Sequence, residues 1–141
     1  MTTPLVVGDY IYGIGSHGQV RGLLAESGER VWEADGLTNR ERWGTAYFVQ
    51  HEDRYFVYNE NGELIIAQFN PEGFVEYDRT HLIAPTSNSG YGGSRVGTAR
   101  RARHGYSDRL VVWAHPAYAN KHIIVRNDEE VVRYSLASED Y

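Results

Sequence analysis

Residues 10–20 and 54–64 carry the same text: an apolar strand, a four-residue turn closed by glycine, and the start of a second strand. The turns are Gly15-Ser16-His17-Gly18 and Asn59-Glu60-Asn61-Gly62. A weaker third copy spans 122–131, with Glu129 where the glycine stood. Gly18, Gly62 and Glu129 are spaced by 44 and 67 residues, and a Gly/Ser-rich segment at 87–109 accounts for the excess of 23. Alternation and turn residues predict strands at 5–7, 10–14, 19–24 and 30–34, then at 46–50, 54–58, 63–69 and 74–78. The third unit offers 110–115, 121–126 and 130–136 and lacks its outer strand. The run Leu64-Ile65-Ile66-Ala67 is apolar on both faces, which predicts cover on both.

Four strands every 40 to 50 residues or so is the period of a β-propeller blade. The predicted fold is therefore all-β, a single domain of about three four-stranded antiparallel blades at 4–36, 44–80 and 110–137, with 87–109 as an insertion. A ring needs about four blades or more, so three leave it incomplete, with sheet faces and an edge open. Another copy, or a longer protein, would complete it. Strand addition by residues 3–7 of a second copy is one route, and two chains would give about six blades.

Composition agrees with strands and turns: 15 Gly and 11 Tyr stand against a single Met in 141 residues. The absence of Cys excludes disulfides, thiol nucleophiles, Cys-ligated zinc and iron–sulfur clusters, and leaves the compartment undetermined. No apolar run reaches the roughly 20 residues of a spanning helix, and Met1-Thr2-Thr3-Pro4 does not read as an export signal, so neither membrane insertion nor secretion is expected. The net charge of −5 argues against general nucleic-acid binding. It is unevenly spread, because 87–109 carries +4 and the remainder −9.

Gly8-Asp9-Tyr10-Ile11-Tyr12, Gly18-Gln19-Val20-Arg21 and the run Ala25-Glu26-Ser27-Gly28-Glu29-Arg30-Val31-Trp32-Glu33 together resemble the repeat of quinoprotein-alcohol-dehydrogenase-like (PQQ-like) β-propellers. Residues 55–67, 80–83 and 112–122 look like the C-terminal blades of bacterial PQQ-binding-like repeat proteins. The likeness covers roughly 4–86 and 110–137. It implies that the turn glycines Gly18, Gly28 and Gly62 and the tryptophan Trp32 dock one blade on the next. The family's dehydrogenases hold a calcium-bound quinone between a tryptophan and a vicinal disulfide, with an Asp base. Without Cys, none of that chemistry carries over to a residue here, so no cofactor is expected and PQQ and calcium are disfavoured.

Trp43, His81, Trp113 and His115 are candidates for a pocket on one end of the ring. The six His show no metal-ligand spacing, and an Asp78–His81 hydrogen bond at a turn is the alternative for His81. Residues 59–62 and 127–130 lack the oxygen alternation of a calcium loop and read as polar turns. Arg95, Arg100, Arg101, Arg103 and Arg109 form a basic cluster suited to the acidic body of another copy, to an anionic ligand, or to nucleic acid confined to that loop. The expected function is a noncatalytic module for protein–protein interaction or self-assembly, a homo-oligomer closing or extending the propeller. A cofactor- or ligand-binding quinoprotein-like protein or enzyme is the alternative, and anionic-ligand or nucleic-acid contact through 87–109 is the third.

Overall fold

The computed structural model describes residues 2–89 and 109–138. Strands β1 (Leu5–Val7), β2 (Tyr10–Ile14), β3 (Val20–Leu24) and β4 (Arg30–Ala34) form one antiparallel meander. A second is built from β5 (Ala46–His51), β6 (Arg54–Asn59), β7 (Glu63–Asn70) and β8 (Gly73–His81). A third sheet holds three strands among the described residues: β11 (Ala117–Ala119), β12 (His122–Arg126) and β13 (Val131–Ser135). Two short strands, β9 (Ser87–Asn88) and β10 (Leu110–Val111), pair at the base of the 87–109 segment. Among the described residues no helix is long and apolar enough to cross a membrane.

The sheets stack as blades because each presents an apolar face that it cannot cover itself, and the second presents two. Tyr12, Val20 and Trp32 of the first blade pack on Tyr55, Val57, Ile65, Ala67 and Phe69 of the second. Tyr47, Tyr58 and Leu64 pack on Ile123 and Val125 of the third, with Leu82, Ile83 and Val112 of the connector. Ile65 and Leu64, neighbours on β7, thus face opposite interfaces, as the doubly apolar run predicted.

The repeat extends to irregularities. In the first blade the ladder shifts so that Gly22 faces Trp32 and Val31 bulges out; in the second it shifts so that Ile66 faces Asp78 and Tyr77 bulges out. Trp32 lies so close over Gly22 that a side-chain carbon there would stand 2.4 Å from its Nε1. Where the tryptophan is replaced by Asp78, the glycine is replaced by Ile66.

Each connector between blades crosses a strand turn closely. A carbon added to Gly18 would meet the Asn39 carbonyl at 1.8 Å, and one added to Gly62 would meet that of Ile83 at 1.9 Å. Both glycines have positive φ, 84° and 75°. The third turn, 127–130, is one residue shorter and has no positive φ, which is why Glu129 can stand where a glycine was aligned. Asn59 Nδ2 donates to the Leu37 carbonyl at 3.0 Å and Asn127 Nδ2 to that of Ala84 at 3.0 Å, each tying its turn to the preceding connector. Their Oδ1 atoms accept amides of their own turns, at Asn61 and Glu63 and at Glu129 and Glu130. Gly15 occupies that position in the first blade and offers no such side chain.

Two expectations are corrected. The run 110–115 is not the inner strand of the third blade: only Leu110–Val111 is strand, paired to β9, and β11 takes the inner position. Val111 and Val112 are buried because the connector passes through the core, with Val112 N donating to the Glu60 carbonyl at 2.7 Å. Residues 5–7 are not free to cross to another copy, since they pair with Tyr10–Tyr12 of their own blade.

Replacing Gly62 with Ala should cost more than about 3 kcal/mol, from left-handed strain plus the connector clash. Gly28→Ala, with positive φ and nothing within 4 Å, should cost only about 1 kcal/mol. Denaturant unfolding of both variants checks this, and equal losses would contradict the connector contact.

Candidate functional site

Chain direction places the β2–β3, β6–β7 and β12–β13 turns at the same end of the blades as the connectors. The centre of this end is Glu60, a wholly buried residue in the β6–β7 turn. Its Oε1 accepts Asn39 Nδ2 at 3.0 Å and Arg109 Nε at 3.0 Å; its Oε2 accepts Arg109 Nη2 at 3.1 Å and Trp113 Nε1 at 2.9 Å. Arg109 Nη2 also donates to the Arg42 carbonyl at 3.0 Å, and Asn39 Nδ2 to Asn61 Oδ1 at 2.7 Å. Four hydrogen bonds from three side chains, two of them from a guanidinium, compensate the burial of the carboxylate. The arrangement ties three pieces together: the first connector, the second blade and the base of the 87–109 segment. It is a brace, with no lone pair left pointing at a substrate.

The residues expected to form one pocket separate. Trp43 lines a cleft of about 200 Å³ with Thr2, Ile14, Gly15, Ser16, Gly44 and Thr45. His115 lies against the Tyr47 ring, centroids 4.0 Å apart, in a neighbouring cleft of about 120 Å³ that also reaches Thr2. Trp113 is committed to Glu60. His81 is exposed at the end of the outer strand β8, and Asp78 Oδ1 accepts the Arg79 amide at 2.8 Å. Trp43 has φ +66°, rare for a bulky residue; its amide donates to the Ser16 carbonyl at 2.9 Å and its Nε1 is buried without a partner among the described residues.

Trp32 sits between the first two blades, stacked on Tyr12 at 5.8 Å, with Nε1 donating to the Asn70 carbonyl at 3.0 Å. Gly18 and Gly62 lie under the connectors, whereas Gly28 turns the β3–β4 hairpin with nothing near it. Of the arginine cluster, Arg109 is placed in the brace; Arg95, Arg100, Arg101 and Arg103 lie outside the described residues. Sequence reasoning missed Glu60, Asn39, Asn59 and Asn127. The asparagines could have been found from their place at the start of repeated turns; Glu60 gave no signal, because a charged turn residue reads as exposed.

Burial pushes the Tyr58 and Tyr118 phenols well above their ordinary range, with a smaller push on Tyr58 from Tyr47 and on Tyr118 from Tyr58. Neither hydroxyl has a hydrogen-bond partner among the described residues. The folded state holds these protons more tightly than the unfolded state. Their contribution is therefore complete below about pH 10 and is lost as pH rises beyond it. Phenolate absorbance should show both tyrosines ionising only together with unfolding; a smooth titration in the native state would contradict their burial.

Arg109→Ala should lower the unfolding free energy by about 3–5 kcal/mol, because it strips the cation from a buried carboxylate. Glu60→Gln should cost less, since the Arg109 side chain, 14% exposed, can turn toward water. Chemical denaturation decides; small and equal losses would remove the brace from the account.

No protein-family model matches the chain, and no curated protein matches it. Solved structures do. BamB from Moraxella catarrhalis aligns over 93% of this chain and 30% of its own, with TM-score 0.50 and 14% identity. Quinohemoprotein alcohol dehydrogenase from Comamonas testosteroni aligns over 96% of this chain and 19% of its own, with TM-score 0.51 and 16% identity. The chain spans less than a third of either. At these identities the likeness concerns the fold, and it is the fold the repeat pointed to: a run of four-stranded antiparallel β-propeller blades.

Proposed function

We propose that the chain is a noncatalytic β-propeller interaction module whose uncovered blade faces are buried against protein, with further copies of the chain as the occupant. The observation that carries this reading is the outward face of the first blade. Registers place Val6, Ile11 and Leu23 side by side on it, with Val31 bulging beside them. Val6 is 70% exposed and Val31 38%. On the third blade Val131 is 69% exposed, opposite Arg126 and diagonal to Ile124 on the face turned from the second blade. Apolar residues aligned on a sheet face mark a surface that binds protein more often than one meant for water.

The brace supports the noncatalytic part, since the one wholly buried carboxylate among the described residues is spent on structure. Assembly through blade faces also needs no group beyond those the sheets supply, and strands stacked in this way already form both internal interfaces.

Light scattering across a concentration series should give a dimer or a larger defined species. Val6→Lys combined with Val31→Lys should shift it to monomer while preserving the strand signal in circular dichroism. A folded monomer at every concentration overturns self-assembly.

A further inference from the structure

At the opposite end of the blades from the brace, a cleft of about 340 Å³ opens between the second and third blades. Its wall is a column of near-parallel rings: His51 on Phe56 at 5.1 Å and 11°, and Phe56 on Tyr118 at 5.6 Å and 10°. Val49 and Leu136 complete the apolar part. The polar part is Gln50, Asn120, Lys121, His51 and His122, and no Asp or Glu lines it. On a chain of net charge −5, this is a cationic hollow.

Lys121 is held there at a conformational cost. The β11–β12 turn has two residues, Asn120 and Lys121, with φ of 50° and 60°. Asn and Gly suit such a left-handed turn; Lys does not. Its backbone is fixed further by Leu136 N, which donates to the Lys121 carbonyl at 2.7 Å. The ammonium has no ion-pair partner among the described residues. His122 gives its Nδ1 proton to the Asn120 carbonyl at 2.7 Å, which orients the ring and leaves Nε2 as the nitrogen available to a ligand.

We propose that this cleft binds a carboxylate carried on an aryl or arylalkyl body, the ring lying along the aromatic wall and the carboxylate meeting Lys121, with the two imidazoles beside it. The volume falls in the range of small-ligand sites, and a mostly apolar wall with a few convergent polar groups is their usual chemistry. An ammonium with no ion-pair partner among the described residues supplies the charge complement. A free acid and a peptide ending in an aromatic residue present the same two groups.

The probes are 4-phenylbutyrate, its neutral analogue 4-phenylbutan-1-ol, and N-acetylphenylalanine, each titrated into the whole chain while the imidazole Cε1–H resonances are followed by NMR. Saturable shifts confined to His51 and His122, with the acid binding about tenfold tighter than the alcohol, are expected. Preference for N-acetylphenylalanine over 4-phenylbutyrate would identify a chain terminus as the source of the carboxylate, and the reverse a free acid. Lys121→Gly removes the charge and relaxes the turn, so the fold is retained and acid affinity should fall about tenfold with alcohol affinity unchanged. Arg126→Gln, outside the cleft, should leave both unchanged. Equal binding of acid and alcohol, an unaltered acid affinity in Lys121→Gly, or shifts that do not saturate would each overturn the proposal.

Discussion

The stack depends on how closely each connector passes over the turn of the sheet it leaves. Asn39 and Ile83 put backbone carbonyls where a side chain of Gly18 or Gly62 would have to be. That distance sets the separation between blades, and with it whether Tyr12 can reach Phe69 or Tyr58 can sink beside Val125. The asparagine ties add direction to proximity: Asn59 and Asn127 hold the preceding connector by its carbonyl and brace their own turn with the same side chain. Backbone polar groups that would be stranded in a dry interface are thereby satisfied.

Glu60 extends this scheme with charge. A neutral turn residue could hold one connector; a carboxylate with two oxygens holds the first connector through Asn39, and the entry to the third blade through Arg109 and Trp113. Burying it is costly unless every lone pair is used, so the four donors have to be in place together. The segment leading into the third blade is consequently anchored at its end, where Arg109 follows directly on 90–108.

Much of the first two blades was legible because their strands alternate and their turns carry glycine, Asp or Pro in positions with a mechanical reason. The doubly apolar β7 was legible as the middle of a stack. The inner strand of the third blade was not: Leu110 to Trp113 is as apolar as a strand, but it is a connector drawn through the core, and burial alone does not distinguish the two. The pocket expected from Trp43, His81, Trp113 and His115 dissolved for a related reason. Aromatic residues near connectors are distributed by packing needs, one on Glu60, one on Tyr47, one in its own cleft. The paired exchange of Gly22–Trp32 for Ile66–Asp78 was present in the text, and becomes visible only once the ladder shows which residues face each other.

Gly15 gives the stack a polarity. The second and third blades each bring an asparagine to grip the connector ahead of them, and the first brings only a hydrogen atom. A joint made between the last blade of one molecule and the first of another would rest on apolar contact without that grip. Such a joint opens more readily than the two inside the chain, so an assembly built on it would exchange its subunits and follow protein concentration, while the blades within each subunit stayed together.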